Sequence, residues 1–264
     1  MAIASLDQYI AAAKQRVTYM KTGARTTVAA FPFSLFDLAG NPGAGSLSPG
    51  NTAAGIVPTD ATAGHPVITV FGASALGYIT KVEFANTVAC WFDLYDRLFV
   101  AGAYAFNAAT TLAAQPSYAA RVPNADYNGL QIWVEQVTGA TGNQAVSVNY
   151  TNQAGATGHT TGATGIGAAP TVGRTWQLPL QAGDSGVQKI ESVTGSVASA
   201  GTFNVMVLRP LWSGRVQIAN GGDVHELLRT GMPQVYDTSA LFVQLAADAT
   251  ASGIPEIQIE IANA

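Results

Sequence analysis

Charge is scarce in this sequence: only 11% of its 264 residues are Asp, Glu, Lys or Arg, against about 25% in an ordinary soluble domain. Sixteen acidic and twelve basic residues leave a net charge of −4, and no basic run occurs. A dedicated nucleic-acid binder, which must face phosphates with clustered Lys and Arg, is therefore not expected. One cysteine, Cys90, excludes an intramolecular disulfide framework and any paired-cysteine metal or redox motif. Its setting, Val88-Ala89-Cys90-Trp91-Phe92, reads as a buried structural thiol. Hydrophobic residues make up 48% of the chain, yet no stretch approaches the roughly 18 to 20 apolar residues that span a bilayer. The N-terminus shows no basic segment followed by an apolar one, so synthesis and folding in a cytoplasm are expected.

What remains is a surface made of Ala, Thr, Ser, Asn, Gln and Gly. Such a surface desolvates at low cost because few charges must lose water on contact. That favours a subunit with much of its exterior held against neighbours.

Along the chain, Ser5 and Gln8 form a capping-box pattern, and Leu6, Ile10, Ala13 and Val17 recur at helical spacing, which predicts a helix over residues 6–20 ending near Gly23. An aromatic stretch, Val28 to Phe36, follows. From Gly40 to Pro66 the sequence is Gly-, Pro-, Ser- and Thr-rich and has no periodicity. It reads as disordered or as an arm laid over a partner. Fully extended at about 3.3 Å per residue, residues 21–62 would reach roughly 130 Å. Residues 1–62 are thus read as a helix and extended arm, and residues 63–264 as the body.

In the body the period becomes two. Candidate strands are Val67–Phe71, Tyr78–Phe84, Leu130–Val137, Ala145–Tyr150, Arg174–Leu180, Val187–Val193, Thr202–Leu208, Ser239–Leu245 and Glu256–Ile261. A further helix is predicted from Asp223 through Leu227 and Leu228 to Gly231. Gly-Ala-Thr-Gly occurs three times between Gly139 and Gly167, at irregular spacing, and reads as a strand pair with long loops. The fold class expected is all-β, mainly antiparallel: a jelly-roll-like β-sandwich with a short N-terminal helix and an extended N-terminal arm.

Each motif that resembles a catalytic one fails at a named residue. Gly183-Asp184-Ser185-Gly186 resembles a serine-protease nucleophile loop, but Val187 replaces the final glycine, and His65, His159 and His225 all lack the context of that family's base. It reads as a hairpin turn. Gly72 to Gly77 would need glycine at Leu76 to form a nucleophile elbow. Gly165-Ile166-Gly167 begins a dinucleotide loop that Pro170 ends. Asp93 and Asp96 around Tyr95 have calcium-like spacing but no oxygen-dense loop, and read as a solvated pair or a partner for Arg97. No enzyme, cofactor or metal is expected. Phe31, Phe33, Leu35 and Phe36 precede the arm, where no strand pattern accounts for their burial. Together with Trp212, after Pro210, they are the candidate protein-interface residues.

The collected segments resemble a family of head-associated virion structural proteins of tailed phages. The resemblance rests on Leu94-Tyr95-Asp96-Arg97-Leu98, on Val148-Asn149-Tyr150-Thr151-Asn152-Gln153, on Leu178 to Gly186 leading into Val187–Val193, and on Val235-Tyr236-Asp237 leading into Leu241–Leu245. It covers roughly residues 85–264. It implies a capsid decoration or cement protein located in the phage head. Its partners would be further copies of itself, a trimer among the options, and the major capsid protein, with no nucleic acid or membrane. A tail, collar or fibre-base component and a carbohydrate-binding host-attachment module are the alternatives.

Overall fold

The computed structural model describes residues 3–72, 76–166, 170–195 and 200–263. One helix, α1 (Leu6–Ala11), opens the chain, and the strands follow in order. They are β1 (Ala13–Lys21), β2 (Pro32–Ser34), β3 (Gly40–Asn41), β4 (Asn51–Ile56), β5 (Gly77–Asn86), β6 (Cys90–Ala105), β7 (Ala109–Thr111), β8 (Gln131–Thr138) and β9 (Val146–Asn152). After them come β10 (His159–Thr160), β11 (Thr175–Leu178), β12 (Val187–Gly195), β13 (Thr202–Val216), β14 (Gly221–Glu226), β15 (Gln234–Val235), β16 (Leu241–Ala247) and β17 (Glu256–Asn263). The fold is an all-β sandwich, and every pairing between these strands is antiparallel.

The architecture follows from the length of two strands. β6 spans 16 residues and β13 spans 15, and they pair along nearly their whole length at the centre of a seven-stranded sheet, β11-β8-β13-β6-β16-β2 with β4 also on β6. Two smaller sheets pack against it. The six-stranded sheet β14-β5-β17-β1-β3, with β15 also on β5, covers one half. There Val17, Ile79, Val82, Ile257 and Ile259 meet Phe92, Leu94, Trp212 and Val243. The four-stranded sheet β10-β9-β12-β7 covers the other half, where Val146, Val148, Tyr150 and Ile190 meet Leu98, Phe99, Phe203 and Val205. A third cluster on the opposite face packs Phe36 and Leu47 onto Tyr95, Trp133, Met206 and Phe242. Pro210 is tolerated in β13 because the β8 pairing stops at Leu208 and a register shift follows at Pro210/Trp212, so no ladder N–H is required there.

Charges lie at the seam between the two apolar halves. Asp96, fully buried, forms an ion pair with Arg121 Nη1 at 3.2 Å and accepts from Arg209 Nη2 at 3.1 Å, Ser239 Oγ at 2.8 Å and the Ala240 amide at 3.0 Å. Beside it, Arg97 Nη2 and Asn204 Nδ2 both donate to Glu135 Oε2 at 3.1 Å, and the Arg97 guanidinium lies over Phe36 and Phe242. Asp96 is thus the partner of Arg121 and Arg209, and Arg97 pairs with Glu135 instead.

The structure corrects several sequence expectations. Helix α1 stops at Ala11, and residues 13–21 form a strand whose Val17, Tyr19 and Lys21 turn inward. The helical spacing loses to the backbone ladder β17 provides, residue for residue from Ala13↔Asn263 to Met20↔Glu256. The supposed arm lies on its own body: β2 pairs with β16, β3 with β1 and β4 with β6. Val67–Phe71 forms no ladder; Ile68 and Phe71 are buried, and the Gln15 side-chain amide bridges both backbone groups of Thr69, at 2.9 and 2.7 Å. The helix expected at Asp223–Gly231 is strand β14, paired to β5, followed by a 3-10 turn over Leu227–Arg229. Gly183–Gly186 joins β11 to β12, which belong to different sheets, so it is a crossing loop and not a hairpin. The Gly72–Gly77 and Gly165–Pro170 motifs include positions, 73–75 and 167–169, outside the described residues.

Substituting Asp96→Asn leaves two buried guanidinium groups without their anion. A loss of about 3–5 kcal/mol in urea-unfolding stability is expected, and a loss under about 1 kcal/mol would show that the seam network is not a principal support.

Candidate interaction surface

The motif most like a catalytic one assembles a loop clasp. Asp184 accepts from Tyr150 Oη at 2.6 Å and Asn152 Nδ2 at 2.9 Å, with His159 Nδ1 at 2.7 Å. Burial alone would raise its carboxyl, but these hydrogen bonds and the His159 charge outweigh burial and hold it below the usual range. Ser185 Oγ is bonded to Asn128 Oδ1, so the Asp–His pair holds no serine nucleophile. His65 is buried with Nδ1 3.0 Å from the Leu241 carbonyl, and burial pushes it down to about 3. Cys90 is buried, and burial pushes its thiol up to about 11. Among the described residues no group of three or more His, Cys, Asp or Glu could hold a metal ion, and no helix is long and apolar enough to cross a membrane.

Of the interface residues expected from sequence, Phe33, Leu35, Phe36 and Trp212 are buried in the chain's own core. The reason is local. Strand β2 begins at Pro32 on the edge of the seven-stranded sheet, where proline is allowed, and that pairing turns Phe33 inward. Trp212 packs on Phe84, with its indole N–H donated to His225 Nδ1 at 2.9 Å. Phe31 alone of the five keeps substantial exposure, 46%, beneath the Arg174 guanidinium.

The most exposed large hydrophobic residue among those described lies elsewhere. Leu228 is 95% exposed, in the turn after β14. The turn is rigidly held: the Thr230 hydroxyl lies 3.0 Å from the Ile79 carbonyl and 2.6 Å from that of Leu227, and accepts from the Met232 amide at 3.1 Å. Leu227 and Met232 take φ values of 40° and 44°, left-handed backbone that costs a non-glycine residue about 1 kcal/mol or more. A strained turn pinned to β5 and displaying a bare leucine has the form of a docking ridge.

Helix α1 lies beside it. Ser5 caps the helix by accepting from the Gln8 amide at 3.3 Å, and Gln8 Oε1 accepts from the Ala4 amide at 2.6 Å, the reciprocal capping expected from sequence. Tyr9 Oη anchors it to Glu260 at 3.0 Å, yet none of its residues is buried, and Leu6 and Ile10 are 63% and 66% exposed. Between helix and turn runs an apolar groove of about 350 Å³ lined by Ile3, Leu6, Tyr9, Leu227, Leu228 and Met232. A second groove of about 520 Å³ lies on the other side of the ridge, lined by Asp93, Tyr95, Gln131, Trp212, Leu228 and Arg229. Charges around the ridge are paired within the chain: Arg229 with Asp223 at 2.9 Å, and Lys81 with Glu83 at 2.7 Å and Glu226 at 3.4 Å.

No protein-family model matches the chain, and no curated protein matches it. Among solved structures it is similar to the infectious bursal disease virus Gt strain structure, with 11% identity, a TM-score of 0.19, and coverage of 95% of this chain and 80% of that one. It is also similar to the VP2 subviral particle of the same virus, with 10% identity, a TM-score of 0.19, and coverage of 95% and 79%.

Sequence reasoning missed this surface because Leu227-Leu228 lay in a stretch read as helix, where two adjacent leucines look like core. From sequence Asp93 reads, with Asp96, as a solvated pair or a partner for Arg97. It is half-buried, and burial alone pushes it up to about 6. Because the folded value exceeds the unfolded one, the native state binds the proton more tightly. The penalty of charging Asp93 therefore grows as pH rises from about 4 to 6 and is complete above that. Asp93→Asn is expected to stabilise the protein by about 1–3 kcal/mol at pH 7.5 and by little at pH 4. Equal effects in urea melts at both pH values would contradict this.

Proposed function

We propose that this chain is a virion structural protein of a tailed phage, a decoration or cement subunit on the head, which binds further copies of itself and the major capsid protein. The observation that supports this reading most directly is the Leu228 ridge: a strained, clamped turn that leaves a leucine 95% exposed beside a helix with no buried residue. A free monomer gains nothing from that arrangement, whereas a subunit buries it on assembly. The scarcity of charge serves the same end, since little desolvation opposes contact. The mechanism is multivalent: modest contacts, repeated by symmetry over a shell, resist forces that no single contact could.

Leu228→Asp tests the surface. Its folding stability is expected to stay within about 0.5 kcal/mol of the parent because the side chain has no intramolecular packing to lose, while binding to particles purified without this protein falls sharply. Heat-release assays on particles with and without the protein test the cement role. Equal resistance in both would exclude it, and a copy number far below that of the shell protein would place the chain in the tail.

A further inference from the structure

Asp93 has no partner. It makes no hydrogen bond or ion pair among the described residues, and its cross-strand neighbours on the same face are neutral, Ser213 on β13 and Gln244 on β16. Arg229, the charged residue that shares its groove, is held by Asp223 at 2.9 Å and the Val224 carbonyl at 3.5 Å. The two fully buried carboxylates are neutralised, Asp96 by Arg121 and Arg209 and Glu135 by Arg97, and the half-buried Asp184, Glu191 and Glu260 at least accept hydrogen bonds. A half-buried carboxylate left without a cation lowers stability at neutral pH, and here it lines a groove that also reaches the most exposed leucine in the chain.

Charge distribution indicates where the cation comes from. Six of the twelve Lys and Arg residues, Lys21, Arg25, Arg97, Arg121, Arg174 and Arg209, are buried, but only Asp96 and Glu135 of the sixteen carboxylates are. The interior is cationic and the exterior is more acidic than the net charge of −4 implies. Of the six cations left outside, Arg16, Lys81, Arg215 and Arg229 already pair with carboxylates, Lys14 donates to the Tyr9 carbonyl, and only Lys189, half-buried on β12, makes no side-chain hydrogen bond or ion pair among the described residues. A second copy therefore has few cations to offer.

We propose that the groove between Asp93 and the Leu228 ridge is a receptor for a Lys or Arg side chain presented beside an apolar residue on a different protein of the assembly. The cation would pair with Asp93 in the groove, whose lining also includes the largely buried Tyr95 and Trp212. The adjacent apolar residue would cover Leu228. Complementarity of this kind sets partner choice and register more than raw affinity. The proposal rests on this end of the molecule being a docking surface, and not on the partner being a phage shell.

The probe is acetyl-arginine amide, titrated into the intact protein while the Asp93 carboxyl carbon and the backbone amides of residues 228–231 are followed by NMR. Saturable shifts at these positions are expected, together with a fall in the Asp93 titration midpoint toward the ordinary carboxylate range. Asp93→Asn should weaken binding by at least about tenfold while remaining folded, because it removes a charge that the fold disfavours. The neutral isostere acetyl-citrulline amide should not bind. Absence of saturable shifts, equal binding of the citrulline probe, or unchanged binding by Asp93→Asn would each overturn the proposal. Arg229→Gln should leave the Asp93 midpoint where it is; a clear rise would mean that Arg229 already occupies the site. Lys189→Gln should not alter self-association; if it abolished it, a second copy would be the donor. Failure of particle binding with a positive probe titration would reject the phage-head reading and leave the receptor standing.

Discussion

At the centre of the molecule Asp96 pairs with two guanidinium groups and accepts from a serine hydroxyl and a backbone amide, with no access to water. It lies midway along β6, at the point where the six-stranded sheet stops covering the long sheet and the four-stranded sheet begins. An apolar seam there would let the two halves slide in register, because hydrophobic contact has no direction. A buried anion with three fixed donors and a second guanidinium beside it has one arrangement that satisfies it. Arg209 comes from β13, Arg121 from the β7–β8 connection, and Ser239 and Ala240 from the approach to β16, so a single carboxylate sets the placement of three segments far apart in sequence.

That arrangement also explains the surface. Using half of the cations as internal struts leaves the exterior acidic and poor in charge. It has few positive groups with which to attract a neighbour and little hydration to lose on contact. On the proposed reading, binding depends on shape and apolar area, which the Leu228 turn and α1 offer, and on single unmatched charges such as Asp93. Strain in the turn and the cost of an unpaired carboxylate are both carried by the chain on its own.

The legible parts of the fold were those in which one face is buried. Glu256–Asn263 alternates Ile257, Ile259 and Ile261 with polar residues, and Val146–Asn152 does the same, so their strands were readable from period alone. The longest strand, Cys90–Ala105, was not found, because it is buried on both faces along most of its length and so has no alternation to detect. β1 was half-disguised as helix because Leu6, Ile10, Ala13 and Val17 happen to fall at helical spacing. Only the presence of β17 beside it decides otherwise. The segment taken for a free arm carries no periodicity because it is held by short ladders and by side chains: Lys21 Nζ to the Leu38 and Pro42 carbonyls, and Gln15 to Thr69.

By itself the sequence determined the class: alternating runs, few charges and one cysteine commit the chain to an antiparallel β body with no disulfide framework. Tertiary structure alone decided which of the aromatic and charged residues face inward. Phe33, Phe36 and Trp212 went to the core and Leu228 went to solvent, although local sequence argued the reverse. The physical reason is that burial depends on which strand lies alongside, and strand pairing joins residues as distant as Ala13 and Asn263, which no local pattern records.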